Sequence, residues 1–220
     1  CEKCNFTGAQ YLDSVEELIG RPVIEMFDAK NAVLHGAGRE DIDARMVGTG
    51  RPFILEIVSP KKRSVDLAAV EEAINRTAEG RVSVTIRRWA DRAEVETLKS
   101  NKAHKKYRIL VEVEGVLSAD EFANALKSLK GVTIQQRTPE RVAHRRADKI
   151  RERKVLDIGL VGEQDGKYLV EVLGEAGLYI KELVSGDSGR TIPSLAEILK
   201  RKAHVTSLDV TQVEGAKEGE

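Results

Sequence analysis

An α+β fold, with a large, mainly antiparallel mixed sheet and flanking helices, is predicted by three observations. About eight segments alternate like strands and follow one another mostly in meanders. A few capped segments with helical spacing are inserted between them. With 41% hydrophobic but only 4% aromatic residues, the core must be built from Val, Leu, Ile and Ala, and 220 residues suffice for one large domain or two small lobes.

Along the chain, Ser14-Val15-Glu16-Glu17 is a capping-box pattern that opens a short helix, stopped at Gly20 and Pro22. Ala32–His35 and Phe53–Val58 read as strands on either side of a Gly-rich, charged loop, Gly36 to Gly50. Asp66–Ala78 places Leu67, Val70 and Ile74 at helical spacing before Gly80. Arg81–Trp89 alternates Val82, Val84 and Ile86 with polar residues and predicts a half-buried strand. A charged helix over Asp91–Lys99 precedes the strand Tyr107–Val113, and Ser118 with Glu121 opens a helix to Leu129. Then come candidate strands at Val132–Arg137, Arg141–Arg146, Val155–Val161, Lys167–Leu173, Leu178–Val184 and His204–Val213, with Glu163-Gln164-Asp165-Gly166 as a hairpin turn. Asp148–Lys154 reads equally as helix, and Ser194–Lys200 follows Pro193 as a short one.

The formal net charge of zero conceals a partition: −4 over residues 1–60, 0 over 61–80, +9 over 81–154 and −5 over 155–220. A basic block inside a neutral protein can put a positive field on one surface, which suits a polyanion, or it can be the solvated faces of adjacent elements. No apolar run approaches the roughly 18 residues of a membrane span, so a cytoplasmic protein without membrane association is expected. Gly36-Ala37-Gly38 lacks the third glycine and following helix of a dinucleotide fingerprint, and no Walker-type sequence occurs, which argues against a nucleotide cofactor. Cys1 and Cys4 have zinc-knuckle spacing but supply half a site; an upstream part, expected because the chain opens on Cys1 rather than Met, would have to supply two more ligands. The other reading is a pair of reduced surface thiols.

The segment from His35 to Phe53 concentrates arginines, acids and glycines between two strands, joining backbone freedom to charge. An acid beside an arginine stays ionised near neutrality and can serve as nucleophile or base. Gly38-Arg39-Glu40-Asp41-Ile42-Asp43-Ala44-Arg45 and Gly48-Thr49-Gly50-Arg51-Pro52-Phe53 resemble the active-site segment of the archaeal and eukaryotic tRNA pseudouridine synthases that modify uridines 54 and 55 of the T-arm. The likeness continues through Gln136 to Asp148, Ala176 to Val184 and Gly186 to Thr191.

The resemblance implies a pseudouridine synthase-like catalytic fold over 23–220, with 1–22 as the end of an N-terminal lobe and a connecting helix. It also implies an isomerase acting on tRNA as a monomer, needing no cofactor for catalysis. The catalytic carboxylate falls on Asp41, two residues after Arg39, with Asp43 as competitor. Arg39 would fill the space of the displaced base or hold a phosphate, or else form an ion pair with Glu40 or Asp43. Tyr107 would stack on the target base, although an isolated Tyr is more often core. Lys181 would pair with Asp41, Tyr179 and Ile180 would line the uracil pocket, and Leu208 would pack against the base. If Leu178–Val184 is a strand, Tyr179 and Lys181 share one face. By charge, Lys105, Lys106, Arg137, Arg141, Arg145 and Arg146 are candidates for RNA backbone contacts, with Lys61, Lys62 and Arg63 as a second cluster. Two alternatives stay open: a catalytically silent RNA-binding module, and a glycosidase that releases the base.

Overall fold

The structure, a computed structural model, describes residues 14–38 and 43–214. Cys1, Cys4, Arg39 and Asp41, together with the side chain of Arg145, lie outside the described residues. The α-helices are α1 (Val15–Phe27), α2 (Leu67–Thr77), α3 (Arg92–Ser100), α4 (Ala119–Leu129), α5 (Ile180–Ser185) and α6 (Leu195–Leu199). The strands are β1 (Asn31–Gly36), β2 (Ala44–Met46), β3 (Phe53–Val58), β4 (Lys105–Val113), β5 (Thr133–Arg137), β6 (Ile150–Gln164), β7 (Lys167–Gly174), β8 (Thr191–Ile192) and β9 (Ala203–Val213). The chain divides into two units, one of residues 1–38 and 52–101, the other of 39–51 and 102–220. Among the described residues no helix is long and apolar enough to cross a membrane.

In the first unit β1 and β3 pair antiparallel, Asn31 opposite Val58 and Gly36 opposite Phe53. Ile19, Val23, Phe27, Val70, Ile74 and Val84 form its core. The reciprocal capping box at Ser14 and Glu17 is present, but the helix does not stop at Gly20 and Pro22: it runs on to Phe27. Pro22 cannot donate a backbone hydrogen bond, yet buried Ile19, Val23 and Phe27 hold the next turns against the core and override the local breaker. A second correction concerns Arg81–Trp89, which is extended but joins no sheet. Asn75 of α2 accepts from the Val84 N–H (2.8 Å) and donates to its carbonyl (2.9 Å), and Glu71 accepts from the Ile86 N–H (2.6 Å). The alternation therefore records packing on α2, whose side chains take the place of a neighbouring strand.

The second unit carries a seven-stranded sheet in the order β2-β9-β4-β7-β6-β5-β8. Its strand pairs are antiparallel, apart from the parallel pair β2–β9. Asp165 and Gly166 both take positive φ (52° and 72°) in the hairpin between β6 and β7, the backbone a tight two-residue connection requires. On α4, Phe122, Leu126 and Leu129 are buried, and the Phe122 ring stacks on Tyr168 at 3.9 Å. Asp148–Lys154 is not helix: from Ile150 on it is the first part of β6. Arg141–Arg146 is not a strand either: Glu140–Arg145 forms a 3-10 helix behind Pro139. Likewise Leu178–Val184 is not a strand: Leu178 and Tyr179 lead directly into α5, so Tyr179 and Lys181 do not share a strand face.

Candidate active site

The loop's descending arm is stitched to the last strand. Ala44 of β2 lies opposite Leu208 of β9, and Ile109 of β4 opposite the same Leu208 from the other side. Arg45 grips Asp209 with two hydrogen bonds of 2.7 Å. The Val47 N–H donates to the Val210 carbonyl at 2.9 Å, and the Thr49 N–H to that of Thr211 at 3.4 Å. Gly48 makes this approach possible: its φ is +89°, and a Cβ there would lie 2.3 Å from the Thr211 carbonyl oxygen. The conformation alone costs about 1–2 kcal/mol for a residue with a side chain, and the backbone clash adds to it. Gly48→Ala is expected to lower the melting temperature and loosen the loop from β9. An unchanged melt would contradict this packing.

Tyr107, Ile180 and Leu208, from β4, α5 and β9, are buried in one hydrophobic cluster. The pleat of β4 puts Lys105 on the same buried side as Tyr107, whereas Lys106 and Arg108 point the other way and share Glu171 at 2.7 and 2.8 Å. Burial, and after it the charge of Arg51, pushes the Lys105 ammonium down to about 8. Burial also lowers Arg51, with Tyr107 opposing. Because the folded pKa of Lys105 lies below the unfolded value of about 10.4, the unfolded state binds the extra proton between pH 8 and about 10, and stability rises with pH there. Denaturant titrations on either side of that window should show the parent chain gaining stability relative to Lys105→Met. Parallel behaviour of the two would rule out this assignment.

Short α5 is held at three places. Gln136, fully buried on β5, accepts from the Tyr179 N–H (2.8 Å) and donates to the Tyr179 carbonyl (2.9 Å), clamping the residue that caps the helix. Glu182, only 3% exposed, takes a fork from Arg141: Nε to Oε1 at 2.6 Å and Nη2 to Oε2 at 3.2 Å. Lys181 donates to Asp43, the acid that immediately precedes β2. That hydrogen bond is the main cause holding the Asp43 carboxyl below the usual carboxylate range, with the Lys181 and Arg141 charges acting alongside and burial opposing. The Tyr179 hydroxyl accepts from Arg146 at 3.0 Å.

The structure thus brings Asp43, Tyr107, Tyr179, Ile180, Lys181 and Leu208 into one unit. The expected cation of the site, Lys181, meets Asp43; its pairing with Asp41 falls outside the described residues. The charge-assigned residues are dispersed. Arg137 binds both oxygens of Asp148 (2.9 Å), Arg141 goes to Glu182, and Lys61 pairs with Asp28 at 3.1 Å in the other unit. Lys62 and Arg63 are exposed and make no ion pair among the described residues. No group of three or more His, Cys, Asp or Glu among the described residues could hold a metal ion. The sequence reading gave no role to Gln136, Glu182 or Gly48. The polar Gln136 amid a strand's alternation, inside a segment that carries the family likeness, was the one available signal.

A family model described as "Pus10, C-terminal" matches residues 3–214. The tRNA pseudouridine synthase Pus10 of Archaeoglobus fulgidus is 52% identical over 213 residues, covering 97% of this chain and 59% of that protein. The namesake from Methanothrix thermoacetophila is 46% identical over 215 residues, covering 98% and 47%. The chain therefore spans roughly half the length of the curated relatives it matches. Among solved structures, a Cbf5-Nop10-Gar1 complex gives a TM-score of 0.60 at 20% identity, covering 94% of this chain and 47% of that one. An archaeal box H/ACA sRNP Nop10-Cbf5 complex gives 0.53 at 17%, covering 94% and 46%. At those identities the likeness is one of fold, and it agrees with the α+β sheet described above. The match across nearly all its residues, together with the high identity to the relatives, establishes that this chain belongs to the Pus10 C-terminal family.

Proposed function

We propose that the chain isomerises uridine to pseudouridine in the T-arm of tRNA, at position 54, 55 or both, with Asp41 as the catalytic carboxylate and no cofactor. The observation that carries this reading is the fastening of the loop. Asp43, two residues beyond Asp41, is ion-paired with Lys181 at the point where the chain enters β2 beside Leu208. Asp43 is thereby fastened to a cation in the unit that also holds the aromatic ring and aliphatic side chains of the cluster.

The isomerisation needs little more. A carboxylate attacks the sugar or removes its C2′ proton, and the C1′–N1 bond breaks. The freed uracil turns and bonds to C1′ through C5; C5 loses a proton and N1 gains one, so no atom is added and nothing is oxidised. This demands an ionised acid, a largely dry pocket and a base drawn from its stack. Lys181 keeps Asp43 charged, as a compact cation with less directional rigidity than an arginine. Tyr107 offers its ring to the base, Tyr179, Ile180 and Leu208 line the pocket, and Arg39 occupies the vacated position or holds a phosphate. Half-exposed Lys106 and exposed Arg137 can exchange their acid partners for phosphates, because ion pairs open to solvent hold weakly. Zinc at Cys1 and Cys4 would be structural and would need two further ligands.

Incubating the purified chain with an unmodified tRNA transcript and mapping pseudouridine tests this reading. Product is expected at one or both T-arm positions, with binding that weakens steeply as salt rises. Tight binding without product would instead identify a silent RNA-binding module.

A further inference from the structure

We infer that the unit of residues 1–38 and 52–101 carries a second RNA contact, in which Trp89 stacks on an unpaired base and Arg87, Lys62 and Arg63 take the flanking phosphates. This rests on the reading that RNA is the substrate, but on residues of the unit that does not carry the candidate active site.

Trp89 is the one tryptophan of the sequence. It is 55% exposed, although large aromatic side chains are on average well buried. The rest of its segment is not loose: Val84 and Ile86 are packed and hydrogen-bonded to α2. The indole itself is anchored on one side, edge to face against the buried ring of Phe27, with centroids 6.0 Å apart and planes at 86°. An aromatic plane held in orientation and open to solvent has paid much of its ordering entropy before any ligand arrives.

The same Phe27 organises the cations. Its carbonyl accepts from the backbone N–H groups of Lys61 (3.2 Å) and Lys62 (3.0 Å), which fastens the Lys61-Lys62-Arg63 run to the residue that supports the indole. Asp28 pairs with Lys61 at 3.1 Å, and Glu94 with Arg88, whose Nη1 also donates to the Trp89 carbonyl at 2.9 Å; Asp91, two residues from Trp89, is an exposed acid of the same segment. Arg87, Lys62 and Arg63 remain exposed and take part in no ion pair among the described residues. An anchored aromatic plane in a unit that also carries exposed cations is the donor set that holds single-stranded nucleic acid by stacking and phosphate contact. A protein partner is the less favoured occupant, since a lone indole ringed by charge is far from the apolar core of a protein interface.

Because the chain has a single tryptophan, the emission of the unmodified protein reports this position directly. Titration with an unmodified tRNA transcript, with affinity measured in parallel by filter binding, should quench or shift that emission along the binding curve. Trp89→Ala should weaken tRNA binding about tenfold, with Trp89→Phe recovering part of the loss. Arg87→Ala should reduce the slope of log affinity against log salt by about one. Saturating tRNA that leaves the emission unchanged overturns the inference, as does a folded Trp89→Ala that binds normally. If Trp89→Ala fails to fold, the emission of the parent chain and the Trp89→Phe affinity decide. A chain that converts tRNA while Trp89 stays silent defeats this inference alone; one that neither binds nor converts tRNA defeats the functional reading as well. An emission change on concentrating the protein without RNA would assign the face to a protein contact and also overturn it.

Discussion

Conversion of uridine is expected to fall by at least about 10³-fold in Asp41→Asn, while tRNA affinity should stay within a few-fold of the parent. The amide keeps the size and hydrogen-bonding outline of the acid but offers no negative charge to attack the sugar or accept a proton. Asp43→Asn is the necessary companion, because Asp43 is the acid that Lys181 holds. Its carboxylate is 61% exposed, so its loss should cost no more than about tenfold, through a less well fastened loop. Single-turnover conversion with saturating enzyme separates the two. If Asp43→Asn abolishes conversion and Asp41→Asn does not, the catalytic role passes to Asp43.

The second large effect is on stability. Arg141→Ala leaves the carboxylate of Glu182 buried without its fork, and Glu182→Ala removes the other half. Glu182→Ala strands only Arg141, whose side chain is 32% exposed, and should cost less; Arg141→Ala is expected to cost about 3–5 kcal/mol, because a charge stranded away from water is expensive. That corresponds to roughly 10 °C in melting temperature for a chain of this size. Arg141→Met combined with Glu182→Leu should be less destabilised than either alanine variant, since the pair is replaced by packing and no charge is left behind. Thermal melts of the four proteins test this. If the double variant loses as much as both single variants together, the two side chains act independently and the buried pair is not what fixes α5.

The comparison between sequence and structure turns on range. Where a segment is fixed by its own residues, the pattern was sufficient: Ser118 and Glu121 cap α4 reciprocally, and the turn at Asp165-Gly166 closes the hairpin as expected. Where distant groups decide, it was not. Leu178–Val184 alternates in a way that suits a strand, but Gln136, 43 residues away, satisfies the backbone of Tyr179 and lets a short helix begin there. Arg81–Trp89 has a strand's alternation for a different reason, because Asn75 and Glu71 on a helix supply its hydrogen bonds. In the same way, the count of basic residues could not show that Arg141 is committed to Glu182. The loop acids stood out by composition, but the nomination of Lys181, Tyr107 and Leu208 came from the family resemblance; spacing alone made them ordinary sheet residues. That the loop shares their unit is a consequence of β2 returning along β9, a parallel pairing with no local signature.

The central claim is that a charged loop carboxylate moves uracil from N1 to C5 without releasing it. The most direct measurement uses tRNA that carries tritium at C5 of its uridines. The parent chain is expected to release tritium to water, limited to the T-arm sites, while the RNA keeps every base and no free uracil appears. Free uracil with abasic RNA, or bound tRNA that retains all its tritium, would contradict it.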